Sequence, residues 1–374
     1  MLIRLGRMMN VCGRISVPDP DPAQSTTYDF TAGSMPSPFQ YYRSDTVATY
    51  VDDTPEWIKC TAANEARFHH DAGGNPLGVL MEVSRTNKTA QKNFAPDSGL
   101  DGITVISGSV TVSLESSYSG LSTATIDGIP ISGLTNGDVI KLENTGGTSA
   151  SIQLSTTTGN TNAHSYRVLV AGAATGSHGN MALSNGTGVA SFSPGTANVF
   201  QELTKENITV DSSARYVRWS LPAGKTIYMI GFQFEEGAFL TSPIVTGGAT
   251  ATRTHNRIIA TDITQIPTWN EAQGSIVGEF LLYQDYTITS LSAQADQYLF
   301  SAQNGSSGSD GFGVYMITPR GRGRARAVAG GSNAYTSDID GGYRNDTIYP
   351  VGISWVNGAS GAVKAFVGPG VFQD

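Results

Sequence analysis

The sequence predicts an all-β protein, and three observations carry that expectation. Glycine and proline are plentiful, at 44 and 16 of 374 residues, yet stay below the ~25–30% at which a chain reads as low-complexity. Ser, Thr and Val are abundant beside them, the composition of short strands and tight turns. Strand-length apolar runs recur along the chain, each closed by Gly, Asn, Asp or Pro. At 374 residues the chain has room for two or three domains of ~100–200 residues.

Residues 1–27 are expected as an extended segment, because Pro18-Asp19-Pro20-Asp21-Pro22 lacks backbone donors and favours a stiff path. A helix over residues 1–13 would instead align Met1, Leu5, Met8 and Cys12. Residues 28–98 form a small β connector. Short extended pieces there are broken by turns at Asp52-Asp53-Thr54-Pro55 and around Gly73-Gly74-Asn75-Pro76, and Val79, Met81 and Val83 alternate toward one face. Residues 99–245 carry strand patterns at 103–106, 109–114, 139–142, 151–154, 166–170, 215–221 and 227–234, the spacing of a jelly-roll β-sandwich. A Gly/Thr linker follows at 246–256. Residues 257–374 make a second sandwich, with strands at 275–283, 297–302, 311–317, 320–328, 350–356 and 362–367.

Bulk properties exclude several function classes. Charged residues are 14% of the chain and the net charge is −8, so no broad basic face is expected to hold a nucleic-acid backbone. Cys12 and Cys60 are too few for a disulfide scaffold and fit folding in a reducing cytoplasm. No run approaches the ~18 apolar residues of a membrane span. Arg4, Arg7 and Arg14 interrupt the apolar block that a secretion signal needs.

Two segments resemble parts of bacteriophage fibre and virion structural proteins. The first comprises Thr49-Tyr50-Val51, Trp57-Ile58, Ala66-Arg67-Phe68, Asp71, Asn75-Pro76-Leu77-Gly78-Val79-Leu80-Met81-Glu82 and Arg85-Thr86-Asn87, in the order of a fibre connector segment. The second, Ile227 to Ile244 with Gln233-Phe234-Glu235-Glu236-Gly237-Ala238-Phe239-Leu240-Thr241-Ser242 at its centre, resembles the last strand of carbohydrate-binding-module-like jelly rolls in such fibres. Thr246 to Arg253 resembles the linker that usually follows. The strands after it resemble a concanavalin-like (laminin-G-like) sandwich, with Gly274–Phe280 paired to Val351–Trp355. Such a sandwich needs further strands beyond Phe366, so this one is expected to be incomplete, closed by a neighbouring subunit, or part of a longer product.

The resemblance implies a virion protein of tail-fibre type, assembled in the bacterial host cytoplasm as a homotrimer. It would join other virion proteins through its N-terminus and present lectin-like domains to a host surface glycan. A head-attached fibre or capsid decoration protein is the alternative, and a glycan-depolymerase tailspike is a second. Attachment would fall to the apolar Leu2, Ile3, Leu5, Met8 and Met9.

No Gly-x-Ser-x-Gly, His-Glu-x-x-His, phosphate loop or Cys-x-x-Cys occurs, and no enzymatic activity or cofactor is expected. His69, His70 and Asp71 invite a metal or acid–base reading, against a structural one. Glu235 and Glu236 are adjacent in a strand, so they point to opposite faces and cannot converge on one glycosidic bond. Asp338, Asp340 and Asp346 on a glycine-rich loop supply the hard oxygen ligands calcium takes, or simply a solvated turn. In Arg320-Gly321-Arg322-Gly323-Arg324-Ala325-Arg326 the four arginines alternate. In a strand they share a face, either gripping anionic groups of a glycan or protecting an edge or subunit contact. Tyr283, Tyr286, Tyr298, Tyr315, Tyr335, Tyr343 and Tyr349 enrich the last third as candidate sugar-stacking side chains.

Overall fold

The structure is a computed structural model. It describes residues 2–5, 9–17, 26–53, 57–59, 63–71, 73–82, 84–100, 102–254, 257–260, 273–282, 297–303, 311–317, 322–329, 332–339, 347–356 and 362–367. The protein is all-β, built of antiparallel sheets. Its contacts group differently from chain order. One unit gathers residues 1–44, 62–83 and 254–374, and the other residues 45–61 and 84–253. The connector stretch is therefore shared between the two units.

The second unit is a sandwich. One sheet has five strands in the order Thr104–Ser107, Ala150–Gln153, Val217–Leu221, Asn180–Leu183, Ala190–Ser191. The facing sheet runs Val110–Glu115, Val139–Asn144, Thr226–Glu236, His164–Gly172, Gln201–Ile208, with Arg85–Asn87 and Ala251–Arg253 joined beside Thr226–Glu236. Alternation divides the residues of this larger sheet between two cores. Ile140, Leu142, Tyr166, Val168, Val170, Met229 and Phe234 pack against Ile152, Met181, Trp219 and Leu221 of the five-stranded sheet. Val139, Leu169, Ala171 and Ile230 point the other way, into a second cluster with Val51, Phe94, Ile126, Ile131 and Phe200. Strand His164–Gly172 is consequently buried at every residue. The outer face of this sheet is covered by the chain's own residues around Val139, Leu169, Ala171 and Ile230.

Gly231 marks a bulge in that sheet. Its φ of 68° is a left-handed conformation that suits glycine, and the register slips beside it between Arg167 and Leu169. An added Cβ would stand 3.0 Å from the Phe94 ring. Two buried polar tips find backbone partners. The Trp219 Nε1–H donates to the His178 carbonyl at 3.1 Å, and the Tyr166 hydroxyl to the Met181 carbonyl at 2.9 Å.

The first unit holds two seven-stranded sheets. One runs Ser332–Ile339, Arg322–Ala329, Gly311–Ile317, Gln297–Gln303, Leu2–Leu5, Arg257–Ala260, Phe39–Tyr42. The other runs Ala362–Val367, Thr347–Val356, Gln273–Leu282, Met9–Val17. Strands Pro76–Met81 and Phe68–His70 extend it beside the start of Met9–Val17, and Thr26–Asp29 pairs with the end. The expected pairing of Gly274–Phe280 with Val351–Trp355 is present, Gly274 opposite Trp355 and Ile276 opposite Ile353.

Two strands from the chain's own N-terminal segment join these sheets. Leu2–Leu5 lies between Arg257–Ala260 and Gln297–Gln303, and Met9–Val17 lies against Gln273–Leu282. Neither segment is helical. Ile3 and Leu5 stand in register with Ala260 and Ile258 and Arg4 with Ile259, all three partners buried. The 246–256 linker is likewise structured in part. Ala251–Arg253 pairs with Arg85–Asn87, and the fully buried Arg253 donates to the Ser242 hydroxyl at 2.9 Å.

Candidate functional site

Register places the arginine stripe. Arg322, Arg324 and Arg326 occupy alternate positions of Arg322–Ala329, and Arg320 lies outside the described residues. The strand is paired on both sides, with Gly311–Ile317 and Ser332–Ile339. It is therefore not a sheet edge, and edge protection does not explain its arginines. Across the sheet, Tyr298 stands opposite Tyr315, Tyr315 opposite Arg324, and Arg324 opposite Asp338. In the neighbouring row Arg4 is opposite Ser301, Ser301 opposite Gly313, Gly313 opposite Arg326, and Arg326 opposite Thr336. Register thus places Arg4, Arg322, Arg324 and Arg326 with Tyr298 and Tyr315 at like positions of this sheet, together with Leu2, Ile317, Val328 and the buried Ile259. The alternate positions carry Gly323, Ala325, Phe312, Val314, Ile3 and Leu5.

Sequence reading did not connect these residues, because Arg4 and Arg326 meet only through a four-strand register. Of the other tyrosines, Tyr335 is opposite Ala327 on the apolar face and Tyr349 is opposite Phe280 in the second sheet. Tyr283, Tyr286 and Tyr343 lie outside the described residues. The same is true of Asp340 and Asp346, so of the calcium triad only Asp338 is placed, in register with Arg324. Among the attachment candidates, Leu2, Ile3 and Leu5 lie within a strand paired on both sides. Met9 is opposite Met81, and Met8 lies outside the described residues.

The histidine pair does not converge with its acid. His69 is buried, and burial holds its imidazole at about 3, in spite of nearby Glu82. Asp71 is committed to its own turn, accepting from the backbone N–H groups of Gly73 at 2.8 Å and Asn75 at 2.9 Å. Beside them Arg67, fully buried, donates to Glu82 at 2.7 Å. Burial opposes its charge, but Tyr41 and Glu82 outweigh that and raise its pKa above the ordinary arginine value. The Arg-Phe-x-x-Asp and Asn-Pro-x-Gly pattern of the connector thus supplies a buried ion pair and a turn lock.

The second resembled segment has an equally definite job. Fully buried Glu235 accepts from the Thr241 N–H at 2.6 Å and its hydroxyl at 2.9 Å. Gln233 accepts from the Ile244 N–H at 2.9 Å, and Arg167 donates to the Thr241 carbonyl at 2.7 Å. Glu206 accepts from the Leu240 N–H at 2.6 Å; burial raises its pKa, as it does for Glu202 beside Arg167. Asn87 and Asn93 each bond the Phe232 and Ile244 carbonyls. Residues 240–246 are thereby laid over the sheet on a carpet of side-chain hydrogen bonds. Glu236 points away, where Asn160 and Asn162 hold it; burial disfavours its charge, yet the two amides lower its pKa. The two glutamates diverge, as their adjacency in a strand requires.

No protein-family model matches the chain, and a search of curated proteins finds no match.

Proposed function

We propose that the chain is a structural protein of a bacteriophage particle, of tail-fibre type. It assembles on the particle as a homotrimer, acts by binding rather than catalysis, and offers its first unit to anionic glycans of the host surface. The observation that carries the binding half is the register that places Arg4, Arg322, Arg324 and Arg326 with Tyr298 and Tyr315 at like positions of one sheet. Guanidinium groups take carboxylate or phosphate bidentately, and tyrosine rings supply stacking surface for sugars. Support for the fibre half is the resemblance of the two segments, whose residues supply the internal polar framework described above.

The double substitution Arg322→Gln/Arg324→Gln tests the binding face. Adsorption of particles carrying it to host cells should fall, and wild-type adsorption should itself weaken with added salt. Unchanged adsorption per intact particle would remove the glycan assignment.

A further inference from the structure

The five-stranded sheet of the second unit has an outer face that register organises. Ser107, Ser151, Ser220, Asn180 and Ser191 stand opposite one another in a single row that takes one residue from every strand. Ala150, Ile152, Trp219, Leu221 and Met181, the chain neighbours of its three central residues, are buried in the core between the sheets, so the middle of the row points outward. At ~4.8 Å between strands the row is about 19 Å long. Among the described residues, none of its five side chains has a hydrogen-bond partner.

The next row brings Gln153 opposite Arg218 and Arg218 opposite Ala182. Arg218 is the only charged residue on the five strands. It is half-buried and, among the described residues, makes no ion pair or hydrogen bond. Elsewhere in this unit Arg167 and Arg215 are paired with carboxylates, Arg253 bonds Ser242, and Arg85 lies over the Phe239 ring. A guanidinium on a sheet that carries no acid is complementary to an oxyanion brought from outside.

The rest of the face decides what carries that oxyanion. Peptides are captured at strand edges or in apolar grooves, and this row is polar and crosses the middle of the sheet. Nucleic acid needs many cations, which one arginine in a chain of net charge −8 does not supply. A saccharide brings hydroxyls that both donate and accept, matching a file of serine hydroxyls and one carboxamide. An acidic sugar within it adds the carboxylate for Arg218. We propose that this face binds a saccharide chain in which carboxylate-bearing and neutral sugars alternate, laid along the serine row with a carboxylate on Arg218. The site is separate from the arginines of the first unit and stands or falls independently of them.

Hyaluronate, whose uronic acids alternate with neutral sugars, is the probe. Calorimetric titration uses the full chain carrying Arg322→Gln/Arg324→Gln, so that the first unit does not contribute. That chain should bind hyaluronate and not neutral dextran. Adding Arg218→Met should weaken binding by about tenfold or more with the melting temperature unchanged, because Arg218 has no partner to lose. Lys205→Met, at an exposed position of the other sheet, should leave binding unchanged; an equal loss there would mean general charge attraction and overturn the site. Acetate at the same carboxylate concentration should not compete, and full competition would overturn the saccharide assignment. Binding that survives Arg218→Met would overturn the site. So would a first-unit variant that no longer binds while the wild type does, a result that would instead favour the first unit as the glycan-binding part.

Discussion

Replacing Asn87 by Ala should cost the second unit about 4 kcal/mol, and the structure shows where that figure arises. Asn87 is fully buried. Its Oδ1 accepts from the N–H groups of Phe234 at 3.1 Å and Thr89 at 3.2 Å, while its Nδ2 donates to the carbonyls of Phe232 at 3.4 Å and Ile244 at 3.2 Å. Those two carbonyls keep a second donor, Asn93 Nδ2, at 3.3 and 3.0 Å. The two N–H groups lose their side-chain acceptor, and a buried donor without a partner costs ~1–3 kcal/mol. Two of them give roughly 2–6 kcal/mol, hence the central value of about 4. Thr86→Ala next door is the control. It removes an exposed hydroxyl contact with Thr252 at 2.7 Å and should cost less than about 1 kcal/mol. Denaturant titration read by hydrogen exchange of peptides covering residues 85–93 and 226–246 measures both. If Asn87→Ala proves no more costly than Thr86→Ala, the asparagine does not hold residues 240–246 to the sheet.

Acid should weaken the first unit through His69. Its folded pKa lies at about 3 against an ordinary 6.5, so the unfolded chain takes up a proton below pH 6.5 that the folded state refuses. Stability is therefore full above that value and falls as the pH drops toward 3, by about 2 kcal/mol at pH 5. A His69→Gln variant should lose that much less between pH 7 and pH 5 in matched titrations, and an identical loss would exclude His69 as the source. Deleting residues 1–17 should strip an interior strand from each sheet of the first unit and open it to proteolysis, leaving residues 84–253 protected. Retained protection of residues 297–329 would show that these sheets stand without the N-terminal strands.

What the sequence disclosed follows from how locally each feature is encoded. In the second unit the strands at 139–142, 166–170 and 227–234 were legible, because buried residues alternate there or run continuously. Gln201–Ile208 was not, since its side chains are largely exposed and Glu202, Lys205 and Glu206 hide the period. The pairing of Gln273–Leu282 with Thr347–Val356 was legible from resemblance. The place of Leu2–Leu5 was not, because its partners lie about 250 to 300 residues away and nothing in a four-residue strand names them. Of the candidate site, the arginine alternation was plain, whereas Arg4, Tyr298 and Tyr315 joined it only through register. The connector residues drew attention by their order; their work is an ion pair, a turn lock and an amide clamp.

Whether this chain is part of a virion decides the account most directly. Particles purified on a density gradient and exposed to gold-labelled antibody against residues 84–253 should carry label on an appendage, with the chain present in multiples of three copies per appendage. A chain that remains in the soluble fraction, with the particles bare of label, would contradict the proposed function outright.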